Sequence, residues 1–367
     1  MRGGRIAWAA AIVLSAIILI AGLVLDRRAA LAAYLVAWIA LGAIAIGALG
    51  VLMTSYLVRR AWTEALHPVL VAATATLPVV GICLVPVLIG MKEIYPAAAA
   101  TSTLPPFKAA YLAPLFFTLR SVIYFVIWSA LAVWLRNAWS HSERMTRAAS
   151  AGLIVYALTV SLAGIDWMES LEPHFHSSVY GLLYLTLALL NGLAFAIGWS
   201  ILTGRQIGGC AGYSALLLST ILLWGYLHAM QYIVIWAGDI PDEVIWYLKR
   251  SENGWQFALA ILVAGQFVLP FFALLSGRVR ADRRWLLGLC ALTLLMRVLE
   301  AAILILPAID HVAPLTTAVM LAAALVFVGA LLLWMFDAML CERARWISAT
   351  VQHVRAEGEP GSGRPAR

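Results

Sequence analysis

The chain has 367 residues, 63% of them hydrophobic and only 12% charged, with a mean hydropathy of +0.93. A soluble domain carries about 25% charged residues, so this composition excludes an ordinary soluble globule. The formal charge of +7 sits mostly in short segments between apolar runs and forms no basic stripe, so it reads as membrane topology and argues against a nucleic-acid partner.

Ten apolar runs are long enough to cross a bilayer: Ile6 to Leu25, Leu31 to Val58, Pro68 to Gly90, Tyr111 to Leu135, Ala149 to Ile165, Val179 to Leu202, Tyr213 to Trp236, Trp255 to Ser276, Trp285 to Leu306 and Pro314 to Leu340. Lipid offers no partner to backbone polar groups, and uninterrupted runs of this length satisfy them as helices, so the expected fold is an all-α integral membrane protein. Residues 1–342 form a polytopic transmembrane domain in this reading. Residues 343–367 form a polar, disordered tail on the cytoplasmic side. The first run follows Arg2 and Arg5 like a signal peptide, but it lacks a small-residue cleavage site and reads as a retained helix. With the N-terminus inside, 17 Lys and Arg fall in inner segments and 6 in outer loops, with Arg120 and Arg297 inside spans. Both termini are therefore expected in the cytoplasm.

Acidic residues gather in two outer loops, around Asp166 to Glu172 and Asp239 to Glu252, which suits either a cationic partner, proton collection or a plain solvated surface. The four cysteines are scattered, with no C-x-x-C pair to hold a cluster or zinc.

Ionisable groups inside spans cost about 2.5 to 3.5 kcal/mol each on insertion scales and face the bundle interior. Arg120, Tyr124 and Trp128 share one face of the fourth span. Arg297 and Glu300, at i and i+3 in the ninth, can neutralise each other or serve a proton relay. Trp224, His228 and Gln231 form one stripe of the seventh span, and Tyr180, Tyr184 and Asn191 one of the sixth. Bis-histidine haem needs histidines deep in facing helices, whereas His67, His141, His174, His176, His311 and His353 fall at or beyond span ends. The segment Asp166 to His176 holds three carboxylates and two imidazoles. That set suits a proton mouth, with Asp166, Glu169 and His174 as carriers, or a divalent metal, though it matches no specific metal spacing, or a structural loop.

The stretch Ile165-Asp166-Trp167-Met168-Glu169-Ser170-Leu171-Glu172-Pro173-His174 resembles the D-W-x-x-S-L-[ED]-P-H signature of the F subunit of bacterial alternative complex III, a quinol:cytochrome c oxidoreductase. Lys108 to Leu112 with Phe116 to Phe125, Gln231 to Trp236 with Pro241 to Arg250, and Arg297 with Glu300 ahead of Pro307 are similar to further parts of that subunit. His176 and His228 depart from its pattern. The resemblance implies membership of the NrfD-like superfamily of polysulfide reductase membrane subunits, with two four-helix bundles plus flanking helices in the bacterial inner membrane. It implies no cofactor on this chain. Haem c, iron–sulfur clusters and quinol would belong to a multihaem cytochrome c subunit, an iron–sulfur subunit and a sister NrfD-like subunit. This chain would supply a proton pathway, carried over to Arg120, Asp166, His174, Arg297 and Glu300, and the residues themselves add Glu169 and His228 as candidates. The alternative is a quinone-binding anchor using Tyr124, Trp128, His228 and Gln231. A secondary transporter is a third reading, weakened because Pro78 and Pro86 break the third span without a clear counterpart.

Overall fold

The computed structural model describes residues 2–58, 61–99, 104–137, 143–204, 209–309 and 313–358. The chain is 87% helical, and among the described residues no strand occurs. Among the described residues, ten helical segments are long and apolar enough to span a bilayer: Ala7–Leu25, Arg27–Leu57, Thr63–Ile89, Pro114–Arg136, Thr146–Leu171, Tyr180–Leu202, Cys210–Gly238, Trp255–Leu275, Arg283–Ala308 and Pro314–Cys341. They are called spans one to ten below. An even number of crossings returns the chain to the side from which it starts.

Spans two to five pack as one ring of four, and spans six to nine as a second. The rings join where span two lies along span six, and spans one and ten pack on each other and on span two. The expected pair of four-helix bundles with flanking helices is therefore observed. Span two is the hub, with 89% of its most apolar window buried, against 17% for span one. Residues such as Val24, Ile89, Leu115, Leu158, Phe257, Leu295 and Leu315 stay exposed. In water such a surface would drive aggregation, whereas acyl chains solvate it.

Glycine makes the central crossing possible. A β-carbon on Gly47 would stand 1.6 Å from the Ala188 carbonyl oxygen, and one on Gly192 2.3 Å from the Ala48 nitrogen. Spans two and six thus touch backbone to backbone, which only residues without side chains allow.

Two spans are interrupted, each beside a proline. Span three divides into Ala61–Thr74, Leu77–Ile82 and Val85–Ile89, with Pro78 and Pro86 in the first turns of the later pieces. Carbonyls released at the breaks are taken by span two, where Trp38 Nε1 donates to the Val80 carbonyl at 2.9 Å and the Tyr34 hydroxyl to that of Cys83 at 2.8 Å. Span eight contains a π turn at Ala264–Val268, where the Leu269 N–H donates to the Ala264 carbonyl five residues back, next to Pro270. A proline lacks the N–H that would continue the α ladder.

Three expectations change. The fifth helix runs Glu143–Trp167, which makes Asp166 a residue of its last turn and not of a loop. His67 lies inside span three, buried, with Nε2 3.1 Å from the Tyr56 hydroxyl. The last helix continues to Gly358, because Ala, Arg and Glu are good helix formers and the first breaker after Met339 is the Gly358 region, so the segment from 343 is helical well past the boundary expected from its polarity. His141, His311 and residues 359–367 lie outside the described residues.

Candidate functional site

Each bundle encloses one arginine–carboxylate pair. In the first, Arg120 stands in the second turn of span four and faces Asp166 in the last helical turn of span five. Arg120 Nε donates to Asp166 Oδ2 at 2.9 Å and Nη2 to Oδ1 at 2.7 Å, while the Tyr124 hydroxyl donates to Oδ2 at 2.8 Å. Nη1 of the same arginine donates to the Tyr111 carbonyl at 2.7 Å, and the guanidinium lies over the Tyr111 and Phe116 rings. Asp166 is fully buried. A forked guanidinium matches a carboxylate with two parallel bonds, and the Tyr124 hydroxyl brings the donors on Asp166 to three. Burial pushes the Tyr111 hydroxyl up to about 12, so it stays a neutral phenol.

Aromatic residues close this site. The Trp167 indole donates to Ser121 Oγ at 3.1 Å, its carbonyl accepts from the Tyr95 hydroxyl at 2.9 Å, and its ring contacts Trp38, Phe125 and Trp128. Trp128 is fully buried, with its indole N–H on Thr159 Oγ1 at 2.9 Å.

The second bundle holds the other pair. Arg297 and Glu300, both buried, form the i, i+3 ion pair that their spacing suggests. Span seven adds what the spacing could not: Trp224 Nε1 donates to Glu300 Oε1 at 2.8 Å, and His228 Nε2 lies 3.1 Å from the same oxygen. His228 Nδ1 lies 3.1 Å from the Trp224 carbonyl. A carbonyl only accepts, so Nδ1 carries its proton, and Nε2 faces a carboxylate oxygen. His228 Nε2 thus stands 3.1 Å from a carboxylate oxygen that also accepts from Trp224. His228 keeps 26% of its side chain open at the bundle surface, whereas Glu300 is enclosed.

The segment from Glu169 to His176 is separate from both pairs. Glu169 Oε1 accepts from the Ser177 N–H at 3.4 Å, and the Ser177 hydroxyl donates to Gln231 Oε1 at 3.0 Å. His174 and His176 are exposed. The Lys108 ammonium donates to the Pro173 carbonyl and to His176 Nε2, whose ring Nδ1 meets the His174 carbonyl. Burial pulls Lys108 below the usual lysine range, opposed by the nearby Glu169. The cluster that looks continuous in sequence is thus divided, with Asp166 engaged inside and the two imidazoles outside.

The structure also divides the four quinone-contact candidates. Tyr124 and Trp128 belong to span four with their polar atoms engaged on span five, whereas His228 and Gln231 belong to span seven in the other bundle.

Arg250 was counted in sequence as an outer-loop charge, yet it is almost wholly buried. Its Nε donates to the Ile303 carbonyl at 2.9 Å, Nη1 to that of Trp246 at 2.9 Å, and Nη2 to that of Leu304 at 2.8 Å and to Glu172 Oε2 at 2.9 Å. Pro307 has no N–H to offer Ile303 four residues earlier, and that proline was the signal available. Tyr180, Tyr184 and Asn191 are buried on span six as their spacing implies.

Compared with known proteins, the chain matches no family model and no curated protein.

Proposed function

We propose that the chain is a non-redox membrane subunit of a quinol:cytochrome c oxidoreductase, or of a related complex with another acceptor, and that it carries protons coupled to quinol oxidation. The observation that carries this reading is the approach of His228 Nε2 to Glu300 Oε1, 3.1 Å apart inside a transmembrane bundle. A carboxylate enclosed among apolar helices is costly unless its charge is matched, and here Arg297 matches it, Trp224 donates a hydrogen bond to it and the imidazole of His228 stands beside it. At 1.5 Å per residue Glu300 lies about 12 Å below the Ala308 end of its span, within reach of the face bearing Glu169 and His174.

Asp166, hydrogen-bonded by Arg120 and Tyr124, serves in this reading as a positioning group that fixes span four against span five. The likeness of residues 165–174 to the F subunit of alternative complex III supports the partners: a multihaem cytochrome c subunit, an iron–sulfur subunit and a sister NrfD-like subunit, with haem c, clusters and quinol carried by them. The excess of Lys and Arg on the side of the termini supports a cytoplasmic location for both ends in a bacterial inner membrane.

Two measurements test the proposal. Native purification in mild detergent should bring down a haem-containing cytochrome and an iron–sulfur protein. In the assembled complex, Glu300→Gln should lower the proton-to-electron ratio with quinol oxidation largely kept. A chain that purifies alone, or a ratio left unchanged by Glu300→Gln, overturns it.

A further inference from the structure

The interior of the second bundle holds polar groups that the protein itself does not satisfy. Gln266 is fully buried, and neither its amide nitrogen nor its amide oxygen has a hydrogen-bond partner. Arg297 touches Glu300, yet none of its three guanidinium nitrogens has an acceptor in hydrogen-bonding geometry. The Thr293 hydroxyl, buried one turn before Arg297 on the same face of span nine, is likewise unpartnered.

These groups lie at one level. A β-carbon on Gly265 would stand 2.7 Å from Met296 Sδ, and one on Gly225 2.5 Å from the Phe267 ring. Gln266 therefore sits between a residue packed on the neighbour of Arg297 and a residue packed on the neighbour of Trp224. It shares its buried stripe with Leu262, Pro270 and Leu274, the stripe that faces the bundle interior. Gln266 also lies within the π turn at Ala264–Val268; such turns recur at functional sites.

We infer that Gln266, Arg297 and Thr293 enclose a built site for bound water, on the side of Glu300 away from the 166–176 segment. The ligand class follows from the donor and acceptor inventory. Arg297 offers only donors, Gln266 offers both kinds, and Thr293 offers both. A bare amide or guanidinium in a dry bilayer interior costs several kcal/mol. An anion would satisfy the arginine but leave net charge, because Glu300 already balances Arg297. Water is neutral, donates and accepts, and bridges buried groups in this manner. The site places mobile solvent beside the Glu300 carboxylate, and it stands whether or not the complex moves protons.

Radiolytic hydroxyl labelling of the complex in lipid nanodiscs tests it, since radicals form where water is bound. Trp224 and Met296, buried at 2% and 6% exposure, should label well above Trp38 and Trp128 of the first bundle, which serve as dry controls. Gln266→Leu should return both residues to the level of those controls. If Gln266→Leu does not assemble, Thr293→Val, of nearly the same volume, should give the same direction. Trp224 and Met296 as protected as Trp38 in the native chain overturn the inference, as does labelling that both substitutions leave unchanged. An experimental map of the native complex with both Gln266 amide atoms bonded to protein overturns it as well.

Discussion

Arg120 and Asp166, 46 residues apart in sequence, are joined by two parallel hydrogen bonds inside the membrane domain. The pair locks span four to span five at the end where the D-W-x-x-S-L-E-P-H segment begins. Removing one member leaves the other charge buried alone, which costs about 3–5 kcal/mol in such settings. Asp166→Asn should therefore lower thermal stability in detergent strongly. Replacing both, as Arg120→Met with Asp166→Leu, should recover much of it. A double variant no more stable than the single one would show that the pair does more than cancel its own charges.

The crossing of spans two and six gives a steric prediction. Gly47→Ala places a methyl group inside the van der Waals radius of the Ala188 carbonyl oxygen, beyond the 1–3 kcal/mol of ordinary overpacking, about the range for one extra methylene. Folded protein should be lost. Gly288→Ala, where nothing stands within 4 Å, should be neutral or slightly favourable because alanine is the better helix former. Yield by fluorescence-detected size-exclusion chromatography separates the two.

The approach of His228 Nε2 to Glu300 Oε1 predicts a spectroscopic change if the two share a proton. Infrared difference spectra across a pH titration should show a carboxyl or imidazolium band that shifts on deuteration. His228→Phe should remove it while the fold survives, because the ring is partly open at the surface and the Glu300 contacts to Arg297 and Trp224 persist. A band unchanged in His228→Phe would place the proton elsewhere.

Span three shows how prolines shape this bundle. The Tyr34 hydroxyl answers a carbonyl released near Pro86. Tyr34→Phe removes that one bond and leaves the Cys83 carbonyl unpaired among apolar groups, a loss of about 1–3 kcal/mol. The melting temperature should fall, and the fall should be smaller in Cys83→Ser, which keeps the bond.

Much of this was legible beforehand. Ten spans follow from run length because a bilayer sets one length for every crossing, and Arg120, Arg297 and Glu300 stand out because charge is rare inside such runs. Their partners did not. Which helix faces which depends on contacts between residues far apart, so the Arg297–Glu300 pair was visible at i, i+3 while Trp224 and His228, more than 70 positions away, were not. Arg250 was hidden for a different reason, since beside Lys249 it looks like any solvated pair. Gln266 lies on the stripe of Leu262 and Pro270 that α-helical spacing gives, and an uncharged amide does not stand out in an apolar run as a charge does.

Arg250 yields the most discriminating ranking. Its guanidinium serves the carbonyls of Trp246, Ile303 and Leu304 as well as Glu172, so it closes the end of span nine that Pro307 leaves open. Glu172→Gln removes one charge at a partly open position and keeps an acceptor for Nη2, and its cost should be under about 1 kcal/mol. Arg250→Lys supplies one compact ammonium in place of a planar fork, so at least one buried carbonyl loses its donor. That should cost about 1–3 kcal/mol per unpaired group. The order of melting temperatures should be native, Glu172→Gln, then Arg250→Lys. A Glu172→Gln loss as large as that of Arg250→Lys would mean that the ion pair, and not the carbonyl cap, holds the 241–249 helix against span nine.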